Sequence, residues 1–211
     1  MIKTLSSVLC TAVLLVWALP LSAATLTEQI QDRYESIDSF TTEFTQELTN
    51  ASSREREVRQ GQISFKQPRL IRWETTVPEA ELLIVGPDTV WNYFPAEESV
   101  YTYPVEQIFD SKTMLRFISG RANLEEDFFV ESQEMEEGFQ KLKLVPRKPE
   151  PNLVLAYLWV DPETALLHQI LLVDFFGNGN QLTFDDLELN IDLSEDLFTF
   201  SPPQGVEILE N

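Results

Sequence analysis

The sequence has few of the residues on which catalysis and metal binding most often depend. It contains one histidine, one cysteine and seven glycines among 211 residues. The single cysteine, Cys10, lies near the amino terminus, so the rest of the chain has no disulfide, no thiolate nucleophile and no cysteine metal ligand. A Gly-x-Ser-x-Gly motif, a phosphate-binding glycine loop and a zinc-binding histidine pair are also missing. These absences argue against the common hydrolase, NTPase and zinc-enzyme classes.

Positive charge is also scarce. The chain carries 15 Lys and Arg residues against 35 Asp and Glu residues, for a net charge of −20 at pH 7. Repulsion between like charges argues against nucleic acid as a partner and disfavours binding to anionic lipid surfaces. Acidic pairs such as Asp185-Asp186 point to opposite faces of a strand, so they do not form a two-carboxylate hydrolytic site by themselves. We therefore predict no catalytic residue, no metal and no cofactor.

The amino-terminal 24 residues have the pattern of a secretory signal peptide. An apolar stretch covers residues 8–21 and ends in small residues, with Ala24 in the position before a cleavage site. A retained membrane anchor is the alternative, but the apolar run is short for a bilayer-spanning helix. We expect cleavage before Thr25, which leaves residues 25–211 as a single soluble domain.

The remaining chain alternates mostly with the two-residue period of strands. A first helix is predicted from Thr25, because Thr25-x-x-Glu28 has capping-box spacing, and a short second helix from Lys112 to Gly120. The predicted strands are Phe40–Leu48, Gly61–Lys66, Leu70–Thr75, Leu82–Val85, Val90–Phe94, Val100–Tyr103, Phe128–Glu131, Phe139–Pro146, Val154–Val160, Leu167–Phe176 and Gln181–Asn190. Strands at hairpin spacing indicate one large antiparallel sheet, which tends to curl and needs a cover for its apolar face.

A family resemblance runs through nearly all of this chain. It is carried, in order, by Phe40-x3-Phe44-x-Gln46, Gly61-Gln62-x-Ser64-Phe65-Lys66-x-Pro68-x3-Arg72-Trp73, Pro78, Val90-Trp91-x-Tyr93-x-Pro95, Asp174-x-Phe176-Gly177-Asn178 and Leu197-Phe198-Thr199-Phe200-Ser201-Pro202-Pro203-Gln204-Gly205-Val206. Together with the signal peptide and the cysteine-free remainder, these segments resemble the LolA family, the periplasmic carriers of outer-membrane lipoproteins in Gram-negative bacteria.

The resemblance implies a fold and a function. It implies an unclosed antiparallel β-barrel capped by a helical lid, mainly β with some α, which binds the acyl chains of lipoproteins inside. It also implies a monomeric, non-enzymatic carrier in the periplasm, loaded by the LolCDE inner-membrane transporter and unloaded to the outer-membrane receptor LolB. LolB is itself a lipoprotein, so the absence of a lipidation cysteine at the cleavage site favours the soluble carrier.

The expected site residues follow from this resemblance together with the apolar pattern. The residues expected to line the acyl-chain groove are Phe65, Ile71, Trp73, Trp91 and Tyr93. The residues expected in the lid are Leu26, Ile30, Tyr34, Met114, Leu115 and Phe117. The family uses an arginine between the lysine and the proline of Lys66-Gln67-Pro68 to hold the lid. Gln67 occupies that position here and can hydrogen-bond a lid carbonyl without the fixed charge of a guanidinium, and Arg69 is a candidate substitute.

Two other functions stay open at this point. A LolA-like domain could bind or sense a different apolar ligand, such as a free lipid or glycolipid. A secreted acidic hydrolase that uses two distant carboxylates is the alternative from another class. The mass of a co-purifying ligand would distinguish the first, and loss of activity after a single Asp or Glu substitution would favour the second.

Overall fold

The computed structural model describes residues 25–106, 113–148 and 150–210. The predicted signal peptide, residues 1–24, lies outside the described residues, as does Lys112 at the predicted start of the second helix.

Twelve strands form a single sheet. Their bounds are β1 Ser39–Thr49, β2 Arg56–Lys66, β3 Leu70–Val77, β4 Glu81–Val85, β5 Thr89–Phe94, β6 Ser99–Pro104, β7 Phe128–Glu136, β8 Phe139–Pro146, β9 Leu155–Val160, β10 Leu167–Val173, β11 Gly179–Leu189 and β12 Glu207–Glu210. The spatial order is β12-β6-β5-β4-β3-β2-β1-β11-β10-β9-β8-β7. Neighbours are antiparallel except β12, which runs parallel to β6. Within the described ranges β7 and β12 are the two free edges, so the sheet is unclosed, which confirms the predicted fold class.

Three short α-helices whose two ends are both described accompany the sheet, and residues 105–106 are also helical. Helix α1, Leu26–Glu35, precedes β1, while α2, Thr113–Ile118, and α3, Leu124–Asp127, lie between β6 and β7 in sequence. The predicted capping box of α1 is present, with the Thr25 hydroxyl accepting from the N–H of Glu28 and the Glu28 carboxylate accepting from the N–H of Thr25. The sequence pattern indicates a polar tail where α3 forms. Its N-cap is Asn123, whose side-chain oxygen accepts from two backbone N–H groups of the first turn.

Strand boundaries differ from the predicted ones where the residues are solvent-exposed on both faces. Strand β2 starts at Arg56, ahead of the predicted start at Gly61, and its first half is exposed and polar. Strand β10 ends at Val173, because Asp174 begins a tight turn that removes Phe175 and Phe176 from the strand. The short edge strand β12 has no alternating apolar face and was not predicted. Alternation identifies strands with one buried face, and these segments have none.

The core lies on the concave face of the sheet. Alternate residues of β1–β5 and β8–β11 point into one hydrophobic cluster, and α1 and α2 contribute apolar side chains to the same cluster. Strands from both halves of the sheet meet in this cluster, which requires the sheet to curl around it. The two helices therefore act as the cover that a curled sheet of this size needs.

A second, smaller apolar layer lies on the convex face. Ile84 on β4 and Val100 on β6 are fully buried, although they point away from the main core. The segment before β12 covers this side, with Phe198 buried and Phe200 packed on the aromatic side chains of β5. Lys66 anchors the same segment by donating from Nζ to the carbonyl oxygen of Leu193 at 2.7 Å.

Gly61 is required where β2 approaches β3. A Cβ atom at this position would lie 1.8 Å from the backbone oxygen of Glu74. We predict that Gly61→Ala lowers the free energy of unfolding by about 3 kcal/mol, because a strand backbone cannot move away as a side chain can. Urea denaturation measures this. The control is Gly179→Ala, where the nearest atom is a mobile side-chain carbon of Leu171 at 3.4 Å, and equal loss in both variants would contradict the assignment.

Candidate acyl-chain cavity

A cavity of about 940 Å³ lies between the concave face of the sheet and α2. Its apolar wall consists of Leu48, Trp73, Leu83, Met114, Leu115 and Leu172. Its rim consists of polar residues at the β1–β2 and β10–β11 connections, among them the exposed Asn50, Glu55 and Arg56 and the half-buried Asn178. The volume is at the upper end of the range for ligand sites, which is about 300–1,000 Å³. The arrangement of an apolar interior behind a polar mouth suits a ligand with an apolar body and a polar end.

Trp73 is the largest side chain in the cavity wall. It lies on β3 and retains 9% of its surface exposed. Its indole packs against Phe44 in an edge-to-face arrangement, with ring centroids 5.1 Å apart. Phe44 behind it is fully buried, so the indole has a fixed support on one side and open cavity on the other.

One polar pair interrupts the apolar wall. Gln46 on β1 is 8% exposed and donates from Nε2 to Oδ1 of Asn180 on β11 at 2.8 Å. Both residues line the cavity. Each amide retains further hydrogen-bonding capacity beyond this bond, so the pair could bind a carbonyl or N–H group of a ligand.

The charges at the rim are paired with each other. Arg59 contacts Glu57 at 2.6 Å and Glu81 at 3.3 Å, so it links β2 to β4 across the intervening strand β3. Arg56 hydrogen-bonds and ion-pairs with Glu47, and this raises the pKa of Arg56 above its ordinary value. The lining has two arginines against four acidic residues, Glu55, Glu57, Glu81 and Asp174, so the mouth keeps a net negative charge and disfavours an anionic ligand group.

Phe65 and Ile71 occupy the same face of the sheet as Trp73 but lie further from the mouth. They are cross-strand partners on β2 and β3, and both are buried. Phe65 packs on Phe40, with ring centroids 5.3 Å apart. Neither residue borders the open cavity in this conformation. Their role in contacting acyl chains stays a prediction.

Trp91 and Tyr93 lie on the other side of the sheet, so their predicted place beside Trp73 is wrong. Trp91 pairs with Ile84, whereas Trp73 pairs with Leu83, and adjacent residues on a strand face opposite ways. Both rings pack on Phe200, at 5.9 Å for Trp91 and 5.4 Å for Tyr93. They belong to the convex layer under the carboxyl-terminal segment.

The predicted lid residues lie on α1 and α2, facing the concave side. Ile30, Met114, Leu115 and Phe117 are buried within the main core cluster, and the half-buried Leu26 and Tyr34 pack against it. Met114 and Leu115 also form part of the cavity wall. The structure therefore brings all of these side chains to the covered face of the sheet.

Polar contacts join α1 to the rest of this cover. The hydroxyls of Thr25 and Thr27 donate to Oε1 of Glu125 on α3, at 3.2 and 3.1 Å. The Tyr34 hydroxyl accepts the backbone N–H of Leu167 at the start of β10, at 3.3 Å. Burial raises the pKa of Tyr34 well above its ordinary value, so the phenol stays neutral at any physiological pH.

The single histidine, His168, does not line the cavity. The imidazole of His168 stacks on Phe139 on the convex face, with ring centroids 4.3 Å apart. In the part of the chain that the structure describes, no group of three or more His, Cys, Asp or Glu side chains could hold a metal ion. None of the described helices is long and apolar enough to cross a membrane.

Sequence reasoning missed Leu83 and Leu172 as wall residues. Each lies in a run of consecutive apolar residues, Leu82–Val85 on β4 and Ile170–Val173 on β10. Alternation gives no signal in such a run, because both faces of the strand are apolar. Only the register with Trp73 and Asn180 shows which leucine faces the cavity.

Comparison with known proteins identifies the family. The model of the family described as "Outer membrane lipoprotein carrier protein LolA" matches residues 35–201. The chain belongs to the LolA family. An outer-membrane lipoprotein carrier protein of Methylococcus capsulatus is 31% identical over 199 residues, which cover 94% of each chain. One from Chromohalobacter salexigens is 26% identical over 196 residues, which cover 91% of each chain.

A solved structure supports the fold of this LolA-family chain. An uncharacterized conserved protein from Thermus thermophilus superposes with a TM-score of 0.58 at 15% sequence identity. The match covers 89% of this chain and all of the other. At this level of identity the similarity concerns the fold alone.

In this LolA-family chain Gln67 contacts α1 directly. Its side-chain Nε2 donates to the backbone oxygen of Glu35, the last residue of α1, at 3.1 Å. Arg69 lies elsewhere: it donates to the backbone oxygen of Pro87 at 2.5 Å and ion-pairs with Glu106 at 3.5 Å. The two side chains therefore hold different segments, and Gln67 alone of the pair is placed at the end of α1.

We predict that Gln67→Ala loosens α1 without unfolding the sheet. Loss of one hydrogen bond of about 1 kcal/mol should speed amide exchange of α1 by about fivefold, with little change in the protection of β1. Hydrogen–deuterium exchange with mass spectrometry measures both. The control is Gln169→Ala, which removes a bond to Thr183 on the convex face. Unchanged exchange in α1 after Gln67→Ala would show that this bond does not hold the helix.

Proposed function

We propose that this LolA-family protein is a periplasmic carrier that binds the acyl chains of lipoproteins and moves them towards the outer membrane. The observation that supports this most directly is the cavity of about 940 Å³, whose apolar wall lies beneath a short helix and whose rim opens to solvent. Relatives at 26–31% identity carry the name outer-membrane lipoprotein carrier protein. The role is one of binding and transport, and requires no catalytic residue.

The free energy of acyl-chain burial limits how completely the cavity can enclose a ligand that must later be released. Burial of a methylene contributes about 0.8 kcal/mol, so a chain of ~16 carbons contributes on the order of 10 kcal/mol if fully covered. A carrier that used all of this free energy would release its cargo too slowly. A cavity with an open rim leaves part of each chain exposed, so a more enclosing acceptor can remove it.

Movement of the cover would enlarge the site. Leu115 and Met114 on α2 already form its wall, while Phe65 and Ile71 are buried in the hydrophobic cluster to which α1 and α2 also contribute. Displacement of α1 would break the Gln67–Glu35 and Tyr34–Leu167 hydrogen bonds and open the hydrophobic cluster to which these two side chains belong. We propose that cargo fills the mouth first and reaches Phe65 and Ile71 after α1 moves.

The proposed route needs a donor and an acceptor on either side of a water-filled compartment. Cleavage of residues 1–24 would release the chain into the periplasm. There we propose that the LolCDE transporter loads it and the receptor LolB unloads it, with the carrier acting as a monomer. Ion-paired residues around the mouth, such as Arg59 and Glu81, would meet these partners first.

Trp73 and Trp91 offer a matched test, because they lie on opposite faces of neighbouring parts of the sheet. We predict that Trp73→Glu abolishes release of newly made lipoproteins from spheroplasts into a soluble complex, because it places a charge in the apolar wall. Trp91→Glu, a change of the same size and charge on the convex face, should leave most of the release intact. Immunoblotting of the supernatant measures release, and circular dichroism checks that both variants keep the sheet.

Normal release by Trp73→Glu would remove Trp73 from the binding surface. If the wild-type chain releases no lipoprotein while a known carrier does so in parallel, the cavity holds a different apolar ligand. The mass of the molecule that co-purifies would then identify its class.

A further inference from the structure

The turn between β10 and β11 presents two adjacent phenylalanines to solvent. Phe175 and Phe176 are 72% and 76% exposed, the highest values among the large hydrophobic residues described. Their rings pack edge to face, with centroids 5.6 Å apart, and form a compact apolar tip. Two adjacent exposed aromatic rings at the end of one turn are unusual on a surface that has no binding role.

The apolar tip is held rigidly by its own turn. The Asp174 carboxylate accepts from the N–H groups of Phe176 and Asn178, both at 2.8 Å, and from the side-chain amide of Asn178. The N–H of Phe175 donates to the backbone oxygen of Pro151 at 3.1 Å. Gly177 supplies the left-handed backbone, with φ +82°, that closes the turn. The polar groups of the turn are thus largely paired internally, and the rings are what the tip presents to a partner.

The surroundings of the tip have little charge, although the chain as a whole is strongly acidic. Three turns meet here: residues 50–53, residues 151–153 and residues 174–178, joined by the Ala51–Asn178 and Phe175–Pro151 hydrogen bonds. Asp174 is the only Asp, Glu, Lys or Arg in these three segments, and its carboxylate is used within the turn. Of the charges that flank the segments, Arg54 and Glu55 have opposite signs, and Glu150 ion-pairs with Arg116 at 3.3 Å. In a chain that is 24% charged, we call these three turns the uncharged corner.

The uncharged corner borders the mouth of the cavity. Asn50, Asn152, Asp174 and Asn178 all belong to the cavity lining. A surface on which the tip rested would therefore lie against the opening through which acyl chains have to pass.

We propose that the apolar tip inserts into the surface of a lipid bilayer and turns the mouth of the cavity towards it. This proposal rests on the proposed carrier function and adds the surface on which the carrier docks. Insertion into a bilayer surface favours apolar side chains that have no unpaired polar groups beside them. The tip presents two such side chains. A specific protein pocket would be expected to make directional polar contacts with the tip as well, and the N–H groups of Phe175, Phe176 and Asn178 are already used within the protein.

The net charge of −20 affects the orientation in which the molecule can approach a bilayer. Acidic surfaces elsewhere are repelled by anionic headgroups, while the uncharged corner is not, so the tip is the part of the surface that can come closest. Two aromatic rings give weak and reversible association, since a single modest apolar anchor does not hold a protein on a membrane. A carrier that must leave with its cargo needs an attachment of this strength.

Flotation with phosphatidylcholine vesicles tests the proposal. We expect the vesicle-bound fraction of the wild-type chain to fall about tenfold in the double variant Phe175→Ser/Phe176→Ser. The control is Phe129→Ser, which removes an exposed phenylalanine from the edge strand β7 and should leave flotation unchanged. A second vesicle set with one part phosphatidylglycerol to two parts phosphatidylcholine should bind the wild-type chain no better, because the corner carries no net positive charge.

Equal flotation of the wild-type chain and the double variant would overturn the proposal, as would absence of flotation for both. If neither floats but the double variant loses lipoprotein release from spheroplasts, the tip fits a protein pocket and the bilayer assignment is wrong. Uptake of a fluorescent palmitate analogue from solution reports on the cavity separately. Vesicle flotation therefore tests the proposed role of the tip, and uptake of the palmitate analogue tests the proposed carrier function independently.

Discussion

The concave face of a twelve-stranded apolar sheet has to be shielded from water by described helices of only 10, 6 and 4 residues. At the α1 end the helix packs closely on the sheet, and two gaps there measure about 10 Å³ each. At the other end α2 reaches over the strands without filling the space, and a cavity of about 940 Å³ remains. Among the described residues, the site is thus the part of the concave face that the helices leave open, and a ligand there would complete the core.

The aromatic residues are divided between the two faces of the sheet. The concave side uses Phe40, Phe44, Phe65 and Trp73 to build a wall that accepts either a helix or a ligand. The convex side uses Trp91, Tyr93 and Phe200 to attach the carboxyl-terminal segment. Strand β5 carries apolar residues on both faces because both faces are covered, one by the core and one by a segment far along the chain.

Much of the fold was predictable from the sequence, and the site less so. The capping box of α1, the hairpin spacing and the alternation in β1 and β3 follow from local rules, so these elements were found. Trp91 and Tyr93 were misplaced because the cover of the convex face comes from Phe198 and Phe200, which lie far along the sequence and leave no local signal. Leu83 and Leu172 were missed because consecutive apolar residues hide which face is buried.

The balance between retention and release rests on weak contacts in the cover. Helix α1 is held to the sheet by side-chain packing, by the Gln67–Glu35 bond and by the Tyr34–Leu167 bond. Where the family resemblance implies an arginine, Gln67 provides a neutral donor, so the contact is shorter in range and carries no charge. Hydrogen bonds of this kind contribute about 1 kcal/mol each, against the order of 10 kcal/mol available from one buried acyl chain. The two hydrogen bonds alone therefore do not prevent cargo from displacing the cover, and the packing of α1 on the core is the larger cost.

The most direct test of this account locates the acyl chains themselves. A lipoprotein bearing a photoreactive diazirine in its acyl chains would be loaded onto the carrier, irradiated, and the cross-linked peptides identified by mass spectrometry. The account predicts adducts on the apolar wall, at Trp73, Leu83, Met114 and Leu172. Adducts on Trp91 and Tyr93, or none on the concave face, would contradict it.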